Sequence, residues 1–177
     1  MDRKDLIETF FCDILDLKEK KAHLYAEWAD KCYDSIGREA LVMLRDAEKR
    51  DLERLQAARE ELAKTNRWSD ACRYIPERVP IADAVLSKAV RAYKESKGKH
   101  CGSVKIPFEV GMELEDKSIG LFRKFMETAQ SDEEKKFIES FIAEEKEHFR
   151  TLADLKYFYE DPEGWFMEKG RQVLDGA

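Results

Sequence analysis

The apolar positions near the end of the chain have the spacing of a helix buried along one stripe. Ile138, Phe141, Glu145, His148, Leu152, Leu155 and Tyr159 follow one another at alternating intervals of 3 and 4, the seam of a helix packed in a bundle. Two polar residues, Glu145 and His148, interrupt it midway. Subtracting 97 from each number gives Leu41, Leu44, Glu48, Asp51, Leu55, Ala58 and Leu62, the same seam broken at the same two places. The offset holds for a second pair of segments. Phe108, Gly111, Glu115, Ser118, Phe122, Phe125 and Ala129 fall onto Phe11, Ile14, Lys18, Lys21, Tyr25, Trp28 and Cys32. The pattern predicts a duplicated helical hairpin, each half with a polar break in its core stripe. A repeat of 97 residues is too long for a solenoid array, whose periods are about 20–50.

Breakers set the element boundaries. Proline occurs only as Pro76, Pro80, Pro107 and Pro162. Gly37 is expected to divide residues 1–75 into two long helices, and the Gln130–Ser131 step to divide residues 108–161. Ser131 followed by Glu134 has the form of a capping box. Asp161–Pro162 reads as the N-cap and first position of a short closing helix. A helix is expected near 81–97 and a turn over 98–103, within a crossover of residues 66–105. No stretch alternates as a strand would. The expected architecture is all-α and one domain over residues 1–177: an antiparallel four-helix bundle of two hairpins, an extra helix in the crossover, and a short C-terminal helix.

Charge and composition then narrow the partners. Lys and Arg number 32 against 38 Asp and Glu, and the two signs are interspersed, which leaves no phosphate-binding footprint. Nucleic acid is not an expected partner. Uncharged runs reach at most five residues, far short of the ~20 of a membrane span or the ~7–15 of a secretory leader. Cys12, Cys32, Cys72 and Cys101 form no CxxC pair, which speaks against a zinc ribbon or a rubredoxin-like iron centre. They are expected as reduced, packed cysteines of a cytoplasmic protein.

At the level of the polar breaks the four helices would present Lys18, Glu48, Asp51, Glu115, Glu145 and His148. An ionised carboxylate on a core face costs several kcal/mol or protonates unless it is paired. Positions i and i+3 share a helix face, so Glu145 with His148, and Glu48 with Asp51, can each hold a cation. Carboxylate plus imidazole suits iron or manganese, and no thiolate is placed to favour zinc. The plain alternative is a metal-free ion cluster in which Lys18 and Lys21 pair with Glu48, Asp51 and Glu145.

These residues also carry a family resemblance. Met112-Glu113-Leu114-Glu115-Asp116-Lys117 and Ala143-Glu144-Glu145-Lys146-Glu147-His148 have the pattern of the ferritin-like superfamily, and the whole resembles its rubrerythrin-like branch. The tail from Tyr159 through Asp161-Pro162-Glu163-Gly164-Trp165-Phe166 is similar to that branch as well. The likeness covers residues 5–65 and 106–170 and leaves the crossover unmatched. It implies a ferritin-like bundle and a carboxylate-bridged di-iron site, an oxidoreductase centre acting on peroxide or dioxygen. By position it implies Glu115 as a terminal ligand, His148 as a nitrogen ligand, and Glu145 and Glu48 as bridges.

The first half departs from that pattern. Lys18 stands where a terminal Glu belongs, and Asp51 where the His belongs. A protonated lysine cannot ligate, and its charge repels a second cation. The expectation is therefore at most one metal, iron or manganese, at Glu115, Glu145, His148 and Glu48, with Asp51 a weaker candidate and Lys18 standing in for the other ion. The resemblance further implies a homodimer, with Trp68, Tyr74 and Trp165 as candidate dimer-surface residues, and a separate electron carrier, since no rubredoxin-like tail is present. A non-catalytic bundle with a single structural metal or none, acting through protein contacts, is the alternative function. Tyr25 and Phe122 read as core filling, and His23 and His100 as solvated. The charged runs 18–21 and 132–136 are expected mostly on exposed faces.

Overall fold

The computed structural model describes residues 2–32, 34–76, 81, 91 and 108–170. Four long helices carry the chain: α1 (Arg3–Lys31), α2 (Ser35–Thr65), α4 (Phe108–Met126) and α5 (Asp132–Glu160). A short α3 (Trp68–Ala71) and a 3-10 turn (Cys72–Tyr74) follow α2; α6 (Pro162–Trp165) and a π-helical turn (Phe166–Gly170) follow α5. No strand occurs among the described residues. The expected helix over 81–97 and turn over 98–103 lie outside them, apart from Ile81 and Arg91. His100 and Cys101 lie outside them too.

The seams pack as their spacing demands. α1 lies along α2 and α4 along α5, and the two hairpins meet mainly where α1 faces α4. Every seam position is buried except Tyr159, at the end of α5, and Ala129, in the connection just after α4, which are half-buried. Polar residues sit midway along all four stripes, so the apolar core divides into two clusters. One gathers Trp28, Leu41, Leu44, Phe108, Leu152 and Leu155; the other gathers Phe11, Leu55, Phe122, Phe125, Ile138 and Phe141. A charged layer lies between them.

The caps follow the expected chemistry. Ser131 Oγ accepts from Glu134 N at 3.1 Å, and the Glu134 carboxylate reaches back to Gln130 N at 2.9 Å. Asp161 accepts from Gly164 N at 2.9 Å, with Pro162 opening α6. Elsewhere the structure corrects the sequence reading. The first hairpin turns before Gly37, because Asp34 caps α2 by accepting from Gly37 N at 2.9 Å. Gly37 serves packing instead: a Cβ there would collide with Tyr159 Oη. Within 132–136, Glu134 is buried because Arg3 pairs with it. Trp165 is no dimer surface residue; it packs in the chain's own core with its ring 4.9 Å from Phe158. Trp68 lies half-buried against Phe137, their ring centres 5.4 Å apart, and Tyr74 packs on the same cluster.

Two glycines separate space from propensity. A Cβ at Gly120 would meet nothing within 4 Å, so Gly120→Ala is expected to raise stability by about 1 kcal/mol through helix propensity alone. Gly37→Ala is expected to lower it by about 1–3 kcal/mol through overpacking against Tyr159. Chemical denaturation of the two variants checks both signs; a shared sign would refute the packing account of Gly37.

Candidate functional site

The charged layer is a closed cluster. Lys18, Lys21, Glu48, Glu115, Glu145 and His148 are fully inaccessible, and Asp51 is 1% exposed. α1 supplies Lys18, Lys21 and Tyr25, α2 supplies Glu48 and Asp51, α4 supplies Glu115 and Ser118, and α5 supplies Glu144, Glu145 and His148. The i, i+3 spacing on each helix puts the paired residues on one inward face, so the four helices bring them together. All the residues expected from the sequence at this level are here.

Two ammonium groups organise it. Lys18 Nζ donates to Asp51 Oδ2 at 2.7 Å and to Glu145 Oε1, and forms an ion pair with Glu48 Oε2 at 3.0 Å. Lys21 Nζ donates to Glu115 Oε2 at 2.6 Å and to Glu145 Oε2, and forms an ion pair with Glu48 Oε1 at 2.8 Å. The Glu48 contacts lie within ion-pair distance but off hydrogen-bond alignment, since Glu48 Oε2 has no hydrogen-bond partner. Glu48 and Glu145 therefore each place one oxygen on each ammonium. His148 Nδ1 lies 2.9 Å from Glu48 Oε1, and its Nε2 faces Glu144 at 3.9 Å without a hydrogen bond. The Tyr25 hydroxyl donates to Glu115 Oε1.

Electrostatics fix the protonation pattern. Burial alone would drive the lysines neutral, but the facing carboxylates outweigh it and raise both above the ordinary lysine value. Burial would likewise protonate Glu48 and Glu145, yet Lys18 and Lys21 hold both below the ordinary value, Glu145 at about 2. Glu115 goes the other way: burial and the charges of Glu48 and Glu145 outweigh Lys21 and push it to about 8. For His148, burial opposes the charge, but the Glu48 hydrogen bond prevails and raises it to about 9. Lys18, Lys21 and His148 thus favour their charged forms against Glu48 and Glu145, while Glu115 is pushed toward its neutral form.

That pairing bears on the metal. Glu48, Glu115, Glu145 and His148 each offer a ligand atom, all within 4.8 Å of one another, a buried group that could hold a metal ion. In the chain as it stands, however, the ammonium groups lie on the same oxygens. Both oxygens of Glu145 accept from lysine, and His148 Nδ1 lies 2.9 Å from Glu48 Oε1. A resident pair of divalent cations does not fit this donor set. The expectation that Lys18 replaces one ion is extended by Lys21, which fills the Glu115–His148 side that was expected to stay free.

Lys21 pairs with Glu48 and Glu145, as the ion-cluster alternative expected, and also with Glu115, while Tyr25 is a member of the site that the sequence reading took as core filling. Lys21 had a signal, since it lies in the α1 seam at the repeat position of Ser118; Tyr25 had only its place one turn further on. Lys18 and Lys21 turn inward from a run whose Glu19 and Lys20 are exposed. His23 is exposed as expected. Phe122 fills core, stacking with its ring 5.5 Å from Phe141. Among the described residues no helix is long and apolar enough to cross a membrane. Comparison with known families, curated proteins and solved structures finds no match to this chain.

Proposed function

We propose that the protein is a ferritin-like bundle of the rubrerythrin-like kind that works without a metal, a non-catalytic helical protein acting through protein contacts. One observation carries this reading: the two carboxylates in the bridging positions, Glu48 and Glu145, each set both oxygens against the ammonium groups of Lys18 and Lys21. The cations such a layer requires are then part of the chain. Two hairpins related by a 97-residue offset support the ferritin-like topology.

A second reading keeps the metal, and His148 favours it. Its outward nitrogen faces the Glu144 carboxylate at 3.9 Å, and a shift to hydrogen-bond distance would give the carboxylate–histidine pairing that orients metal ligands. The centre would then hold iron or manganese at Glu115, Glu145, His148 and Glu48 and act as an oxidoreductase on peroxide or dioxygen, in a homodimer served by a separate electron carrier. Metal analysis after anaerobic loading with iron and with manganese, followed by a peroxide assay, decides between the two. The metal-free reading expects no retained metal and no turnover above buffer. Two irons per chain with peroxide turnover would replace it with the second reading.

A further inference from the structure

The repeat aligns Lys18 with Glu115, Lys21 with Ser118, Glu48 with Glu145 and Asp51 with His148. α2 and α5 contribute the same carboxylate at one equivalent position, Glu48 and Glu145, and differ at the other, Asp51 against His148, whereas α1 contributes two cations where α4 contributes a carboxyl and a hydroxyl. The hydroxyl is idle: Ser118 Oγ is buried and has no hydrogen-bond partner. α1 is the helix that brings two ammonium groups into the layer. We infer that Lys18 and Lys21 stand in for a pair of divalent cations, and that giving α1 the side chains α4 carries at the same positions would turn this layer into a two-cation site.

Geometry and charge both point there. A carboxylate that places one oxygen on each of two ammonium groups is disposed to place one on each of two metal ions, and Glu48 and Glu145 both do so. Asp51 ends the array on the Lys18 side and Glu115 on the Lys21 side. Lys18→Glu with Lys21→Ser removes two positive charges and adds a fifth carboxylate to Glu48, Asp51, Glu115 and Glu145. Two divalent cations bring four positive charges against those five, with His148 free to offer a neutral nitrogen. Oxygen ligands with one imidazole suit manganese, iron or cobalt. Shortening Lys21 to Ser also vacates the volume of a four-carbon stem that is wholly inside the bundle.

The inference rests on the metal-free reading of the natural chain, and one set of proteins tests the two separately. The natural chain, Lys21→Ser, and Lys18→Glu/Lys21→Ser are stripped with chelator and titrated with cobalt. Uptake is read by the visible absorption of protein-bound cobalt and by equilibrium dialysis, and helix content by circular dichroism. The expected stoichiometries are none for the natural chain, one for Lys21→Ser and two for the double variant, whose melting temperature rises with cobalt. A double variant that is unfolded without metal and regains its helix with two cobalt ions supports the inference equally. Two cobalt ions on the natural chain would overturn the metal-free reading itself. No uptake by either variant, whether folded beforehand or refolded with cobalt present, would overturn the inference and leave that reading standing.

Discussion

Lys21→Met is expected to lower the stability of the folded chain by about 3–5 kcal/mol, the cost of leaving buried charge without its partner. Methionine reproduces most of the length of the lysine stem, so the core around it stays filled. What disappears is the ammonium 2.6 Å from Glu115, 2.8 Å from Glu48 and hydrogen-bonded to Glu145. Glu48, Asp51 and Glu145 are left sharing Lys18 and His148, and Glu145 loses a donor it cannot replace with water. Adding Glu145→Gln to Lys21→Met removes one of those charges and is expected to recover part of the loss. Lys20 is the control from the same run: its pair with Asp16 is exposed, with the lysine side chain 65% accessible, and Lys20→Met should stay within about 0.5 kcal/mol of the natural chain. Urea unfolding at neutral pH gives all three values. A loss at Lys21 as small as that at Lys20 would mean that the ammonium does not hold the layer together.

The same contrast between neighbouring lysines shows what the sequence could convey. Periodicity identifies faces, and it places Lys18 and Lys21 inward and Lys20 outward with no knowledge of their partners. It located Glu48, Asp51, Glu115, Glu145 and His148 at one level because each sits at the break in an otherwise apolar stripe. It does not give reach. A lysine stem spans several ångströms beyond its Cβ, so whether Lys21 stops at the wall of the bundle or crosses to Glu115 and Glu145 depends on the space left by Ser118 and its neighbours. Pairings between distant segments were equally hidden. Glu134 had the form of a helix cap and an exposed acid, and its burial depends on Arg3, 131 residues away. Gly37 had the form of a turn because glycine so often is one, but the space that Tyr159 needs is set by the far end of α5.

The stability of the protein is expected to peak on the acidic side of neutrality, near about pH 5, and to fall most steeply between pH 6.5 and about 8. Glu145 sets the acid limb. Its folded value of about 2 lies below the ordinary 4.5, so its contribution is fully present above 4.5 and is lost as pH falls through about 2. Glu48, held down by the same lysines, acts in the same direction. Glu115 and His148 set the alkaline limb. Glu115 is raised to about 8, so its contribution is complete below 4.5 and is lost as the unfolded chain ionises and pH climbs through about 8. His148 is raised from 6.5 to about 9, so its contribution is complete below 6.5 and is lost as pH rises through about 9. Each group gives a slope of up to about 1.4 kcal/mol per pH unit, and between 6.5 and about 8 the two alkaline groups act together. Glu115→Gln, which holds that position neutral at every pH, should remove one proton's worth of slope from the alkaline limb and leave the acid limb unchanged. Unfolding midpoints in urea from pH 3 to 10, taken on the natural chain and on Glu115→Gln, provide the comparison. Superimposable alkaline limbs would show that Glu115 is ionised in the native protein and that Lys21 outweighs the burial of its carboxyl.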